Sequence, residues 1–357
     1  MLGFKTQGFN GYAANYSPFF NDKIAVGTAA NYGLVGNGKL FILGISPEGR
    51  MVCEGQFDTQ DGIFDVAWSE SHENHVATAC GDGSVKLFDI KAGAFPLVSF
   101  KEHTREVFSV NWNMANKALF CTSSWDSTIK IWTPERTNSI MTLGQPAPAQ
   151  GTNASAHIGR QNMPPNQAAA QECIYSAKFS PHTDSIIASA HSTGMVKVWD
   201  TRAPQPLQQQ FSTQQTDTGG PPEVLSLDWN KYRPTVIATG GVDRSVQVYD
   251  IRMTQPAANQ PVQPLSLILG HRLPVRGVSW SPHHADLLLS CSYDMTARVW
   301  RDASTGGNYL ARQRGGTEVK CMDRHTEFVI GGDWSLWGDP GWITTVGWDQ
   351  MVYVWHA

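Results

Sequence analysis

Between His103 and Trp132 the chain reads HTREVFSVNWNMANKALFCTSSWDSTIKIW, and Asp126 stands six residues before the closing Trp. Two runs alternate apolar and polar residues, Val107 to Trp112 and Ile129 to Trp132, with a β-prone run from Leu119 to Ser124 between them. That pattern predicts three short strands. The spacing recurs: Phe88 closes after Asp82, Tyr249 after Asp243, Trp300 after Asp294 and Trp355 after Asp349. Two further units keep the strand and lose the turn carboxylate. One ends at Trp199 with Thr193 in the Asp position, the other at Phe41 with Val35 there. The closing aromatics are therefore 44 to 55 residues apart, with one interval of 67. Units of this length with four strands each indicate a β-propeller, because a single blade cannot bury both its faces and must stack on neighbours.

A second marker counts the blades independently, since the first strand of each unit ends in an aromatic: Tyr16, Trp68, Trp112, Phe179, Trp229, Trp280 and Trp334. The turn Asp, the closing Trp and a His at the head of the unit are the parts of a WD-repeat blade. The expected fold class is all-β, a single seven-bladed WD-repeat β-propeller over residues 1–357. The last unit ends at Trp355 with no residues left for a fourth strand, so the segment at residues 3 to 9, GFKTQGF, is expected to supply it and close the ring.

Residues 141–171, rich in Ala, Gln, Pro and Asn and nearly uncharged, read as a disordered low-complexity insertion between blades three and four. Milder connectors, QPLQQQFSTQQTDTGGPP and MTQPAANQPVQP, join blades four to five and five to six. The hairpin SLWGDPGW in blade seven carries Trp337 and Trp342, either packed over the rim or exposed, with packing preferred.

The composition narrows the function. Net charge is −4 and the basic residues form no run, which gives no reason to expect a nucleic-acid partner. The six Cys show no CxxC pair, and Cys80, Cys121 and Cys291 fall in second strands, so they read as free thiols in a reducing compartment. Neither a signal-peptide core nor a run of membrane-span length is visible, so the expected protein is cytosolic, with no stable membrane insertion.

His103, Asp126 and a hydroxyl from Thr122 to Ser124 imitate a hydrolase triad. The set recurs, with its Trp, as His103, Asp126 and Trp132, as His271, Asp294 and Trp300, and as His325, Asp349 and Trp355. An active site does not occur three times in one ring, so these nine residues read as a structural network in which the His reaches the hydroxyl and the Trp N–H. His72, His75, His283 and His284 lie in hairpins without the spacing of zinc ligands, and no metal is expected. Phosphate-binding glycine motifs are missing, so no cofactor is expected either.

The remaining signal lies where the loops entering first strands and the turns before third strands converge on the channel mouth. The entering loops carry Asp61, Glu106, Glu172, Glu223 and Glu327; behind them come Phe64, Phe108, Tyr175 and Leu225, and the turns add Trp125, Tyr293 and Trp348. Carboxylates ringing aromatic and aliphatic groups suit a basic amphipathic helix or peptide. The competing reading is that loops are simply polar and that some of these aromatics pack between blades.

The wording of the blades is more specific than a generic propeller. QGFNGYAANYSPFF, TQDGIFDVAWSESHENH, FKEHTREVFSVNWN, SSWDSTIKIW, GHRLPVRGVSWSPH and HTEFVIGGDW together resemble the peroxin-7 family, cytosolic receptors for the type 2 peroxisomal targeting signal. The resemblance implies a non-enzymatic receptor. Its cargo would carry an N-terminal nonapeptide starting with Arg or Lys then Leu, and ending with His or Gln then Leu or Ala. It further implies a peroxin co-receptor, delivery to the peroxisomal docking complex, and cycling between cytoplasm and peroxisome. The two ends of such a peptide share one helical face, because seven residues are nearly two turns. For its cation we expect Asp61, Glu106 and Glu172, and for its apolar side Phe64, Phe108 and Trp125. A WD-repeat scaffold or substrate adaptor is the alternative, distinguished by indifference to those terminal pairs.

Overall fold

The structure, a computed structural model, describes residues 1–144, 172–213, 221–254, 262–305 and 315–357. Its strands form seven antiparallel four-stranded sheets arranged as a ring. Blade three shows how a blade is made: Val107–Trp112 lies innermost, Phe120–Ser124 and Thr128–Trp132 follow, and Met141–Gly144 is the outer strand. The insertion predicted over 141–171 thus loses its first four residues to the sheet, and the rest lies outside the described residues. Likewise Leu207–Ser212, predicted as connector, is the outer strand of blade four. Low-complexity composition hid both strands because an outer strand is half solvated and tolerates Thr and Gln on its open face.

The ring is closed by Leu2–Lys5, which pairs antiparallel with Met351–His356 as the fourth strand of blade seven. The closing strand is shorter than the predicted span, ending before Thr6, whose hydroxyl turns the chain by bonding to the Phe9 and Gln350 carbonyl oxygens. Trp337 donates its indole N–H to the Ser17 carbonyl at 3.1 Å yet stays 40% exposed, and Trp342 stands edge-on to His356. The expected packing is therefore partial.

Apolar side chains form seven clusters, one between each pair of neighbouring blades. Between blades two and three, for example, Ala77, Leu87 and Phe100 meet Val107, Trp112 and Trp132. Cys80, Cys121 and Cys291 are buried in second strands, as expected from their small size.

Polar side chains stitch the inner strands across the same seams. Asp65 accepts the Val110 N–H of the next blade at 3.0 Å, Asn111 accepts that of Phe179 at 2.9 Å, Asp228 that of Trp280 at 2.8 Å, and Asp333 that of Tyr16 at 3.0 Å. These acceptors satisfy strand N–H groups that no sheet partner reaches.

Burial pushes the Asp65 carboxyl up to about 6, against the Val110 hydrogen bond and the charge of Lys178. A carboxyl raised in the folded state lowers stability increasingly as pH climbs from about 4 past 6. Asp65→Asn keeps an oxygen for Val110 and removes that ionisation. We therefore expect D65N to be more stable than the parent by about 2–3 kcal/mol at pH 8, with the gap closing towards pH 4. Urea midpoints at the two pH values check it, and a gap independent of pH would refute it.

Candidate functional site

The His–Asp–Trp sets are buried relays. In blade three, His103 Nδ1 meets Asp126 Oδ2 at 2.8 Å, His103 Nε2 meets Thr122 Oγ1 at 2.8 Å, and Trp132 Nε1 donates to Thr122 Oγ1 at 2.9 Å. The Trp N–H thus goes to the hydroxyl and not to the His, which corrects the predicted wiring. In the neutral ring whose Nδ1–H donates to the carboxylate, Nε2 accepts, so the hydroxyl donates its proton to Nε2 and its oxygen is left to accept from the indole. Blade six repeats the relay with His271, Asp294, Ser290 and Trp300, and blade seven with His325, Asp349, Thr345 and Trp355.

Blade four builds it from permuted parts. Ser189 Oγ joins Trp199 Nε1 at 2.8 Å to His191 Nε2 at 2.7 Å, and His191 Nδ1 lies 3.0 Å from Glu172. The same carboxylate accepts from Lys197 Nζ at 2.7 Å and Thr193 Oγ1 at 2.9 Å. Burial opposes its ionisation, but His191 and Lys197 outweigh that and hold Glu172 well below the usual carboxylate range. Glu172 therefore replaces the turn Asp that blade four lacks, its charge shared within the blade between His191 and Lys197. The signal was His191, two residues after the relay Ser.

The channel mouth is organised by a feature no motif announced. In all seven blades the pairing of the first two strands slips by one residue near the start of the inner strand. The residues skipped are Tyr12, Phe64, Phe108, Tyr175, Leu225, Arg276 and Ile330. Such bulges re-aim a side chain out of the ladder, and here six of the seven line one central cavity of about 110 Å³. A helix about 10 Å across cannot enter that space. Any helical ligand has to lie over it.

Aromatic rings form a continuous arc around the mouth. Tyr293 stacks on Phe328 at 4.7 Å, Phe328 meets Trp348 at 5.2 Å, and Trp348 meets Tyr12 at 5.9 Å. Tyr12 meets Phe64 at 5.1 Å, Phe64 stacks on Phe108 at 4.8 Å, and Phe108 stacks on Trp125 at 4.5 Å. The predicted aromatics are thus brought together, with Phe64, Phe108, Trp125 and Tyr175 in one group, and Trp348 and Tyr293 joined to it only through Tyr12 and Phe328, which the sequence reading passed over. The arc is open between Tyr175 and Tyr293, across the part of the ring where Leu225 and Arg276 stand.

The carboxylates differ in availability. Asp61 caps the Gly62 N–H at 2.7 Å, and among the described residues no Lys or Arg lies within ion-pair distance of Asp61 or Glu327. Among the described residues the Glu106 carboxylate pairs only with the neighbouring Arg105, at 3.5 Å with both side chains more than a third exposed, an arrangement of little energetic weight. Glu223 accepts the Tyr175 hydroxyl at 2.8 Å. Arg276, the one cation among the skipped residues, has its guanidinium 3.4 Å from the Leu225 carbonyl.

The family described as "WD domain, G-beta repeat" matches residues 50–89 and 95–133, and that described as "Nucleolar protein 10-like, N-terminal domain" matches 156–324. Full-length relatives are more specific. The Peroxisomal targeting signal 2 receptor of Saccharomyces cerevisiae is 42% identical over 378 residues, covering all of both chains. That of Komagataella phaffii is 44% identical over 377 residues, covering all of this chain and 99% of its own. The chain belongs to the peroxisomal targeting signal 2 receptor family. The human receptor of that name is 33% identical over 328 residues, with 92% of this chain and 86% of the human one covered. The resemblance read from the blades therefore holds over the whole chain against the two yeast receptors and over 92% of it against the human one.

No helix among the described residues is long and apolar enough to cross a membrane. His72 and His75 stack on each other at 3.7 Å, and no group of three metal-ligating side chains occurs among the described residues.

Proposed function

We propose that this protein is a non-enzymatic receptor that binds the type 2 targeting signal of peroxisomal matrix proteins as a helix laid over the channel mouth. The leading Arg or Lys meets Asp61 and Glu106, and the Leu side chains pack on Phe64, Phe108 and Trp125. What carries the reading is the arc itself: stacked rings at the mouth flanked by carboxylates without strong partners, in a chain whose full-length relatives bear the receptor name. Burying two Leu side chains contributes about 3–6 kcal/mol, whereas micromolar binding needs about 8. A co-receptor clamping the exposed side of the helix supplies the difference and carries the complex to the docking machinery, the receptor cycling between cytoplasm and peroxisome.

The test is fluorescence anisotropy with a labelled type 2 signal peptide, with and without candidate co-receptor, beside a peptide whose leading Arg is Glu. Binding should strengthen with the co-receptor and disappear with the altered peptide. Failure of folded protein to bind in either condition would leave the scaffold alternative. Glu106→Arg is expected to weaken the parent peptide tenfold or more, by ~1.4 kcal/mol per decade, and to recover part of the affinity for the Glu peptide. Unchanged affinity in E106R would remove Glu106 from the site.

A further inference from the structure

Blade one departs from its neighbours between its second and third strands. Where the others turn tightly, residues 30–37 form a loop closed at its neck by the Ala30 N–H on the Asn37 carbonyl at 2.9 Å. Within it Asn31 and Tyr32 have φ of 48° and 58°. Asn tolerates the left-handed region, but a bulky Tyr does so only when its surroundings hold it there.

Those surroundings are the mouth. The Tyr32 N–H donates to Asn10 Oδ1 at 2.9 Å, the Tyr12 hydroxyl donates to the Tyr32 carbonyl at 2.6 Å, and the Tyr32 ring stands edge-on to Trp348 at 5.4 Å. Gly33, at φ +70°, is pressed in so closely that a Cβ would come 2.7 Å from Tyr12 Oη and 3.0 Å from a Phe64 ring carbon. The loop is thus bolted to three members of the arc.

Its tip does the opposite. Leu34 is 82% and Val35 74% exposed, although the backbone beneath them is held by Asn31 Nδ2 on the Val35 carbonyl at 3.2 Å. A strained, hydrogen-bonded loop that presents two adjacent aliphatic side chains to water contributes nothing to the core with them. Strain of this kind gathers at ligand clamps.

We propose that Leu34 and Val35 form a side wall of the signal site and pack against an aliphatic side chain of the bound helix. The inference rests on the receptor reading above. The occupant follows from continuity and chemistry. The loop extends the arc without a break, a helix too wide for the channel must stand proud beside it, and no charged residue occurs from Ala29 to Gly38 to favour a charged partner.

The test uses the full-length protein and the labelled signal peptide without co-receptor. Leu34→Ser with Val35→Ser is a surface change that should leave thermal unfolding unaltered, while peptide affinity falls roughly tenfold to a hundredfold. Leu34→Met with Val35→Ile should keep parental affinity. Parental affinity in the Ser variant, or a loss that appears only once the co-receptor is added, would overturn the inference while leaving the receptor reading intact. A folded parent protein that binds no signal peptide either alone or with the co-receptor would instead sink the receptor reading.

Discussion

Asp126→Ala is expected to destabilise the propeller by about 3–5 kcal/mol, because several buried donors lose their acceptor at about 1–3 kcal/mol each. The carboxylate serves His103, the Thr104 N–H and both donors of Thr128, so its loss leaves several buried groups without a partner. The same substitution at Asp82 should cost only about 1 kcal/mol. There the carboxylate serves Ser84 and Lys86, is 23% exposed, and holds no His. Urea unfolding of the two variants side by side decides the matter, and equal losses would mean the relay is not what stabilises blade three. Burial opposes ionisation of Asp126, yet the His103 hydrogen bond outweighs it and brings the group down to about 2. This contribution should therefore be complete above the unfolded value near 3.9 and fade as pH falls from about 4 towards 2.

A larger effect is expected at the seam. Removing Leu2–Lys5 exposes the ladder groups of Met351–His356 and uncovers the cluster in which Phe4 and Phe41 meet edge-on at 6.2 Å. A propeller with a missing strand has an open edge and an incomplete interface on both sides of it. The truncated chain should lose its cooperative unfolding transition and elute as aggregate, whereas Phe4→Ala, which keeps the ladder, should lose only ~1–3 kcal/mol. Size-exclusion chromatography and thermal unfolding read both. A truncated chain melting at the parental temperature would show that the closure is dispensable.

Much of this was legible. Closing aromatics, first-strand aromatics and the turn Asp are required at fixed places in every blade, so their spacing exposed the blade count, the closure and three of the relays. Three kinds of feature were not. Glu172 and His191 use the relay's residue types in exchanged positions, and a search by position sees only a missing Asp. Tyr12, Arg276, Phe328 and Ile330 belong to the mouth through backbone placement, and their residue types share nothing that a periodicity can pick out. Outer strands escaped for a third reason: being half solvated, they have no strong alternation, and Leu207–Ser212 reads as a polar connector.

The slip at the head of every inner strand has a wider meaning. A residue excused from the ladder answers to no partner across the sheet, so its identity is released from the demands that fix the rest of the blade. Seven such positions around one opening amount to a keyboard on a rigid frame. Tyr, Phe, Leu, Arg and Ile already occupy it here without disturbing the pairing on either side. Rewriting those positions is the route by which a ring of this design could be taught a different ligand while its architecture stays as it is.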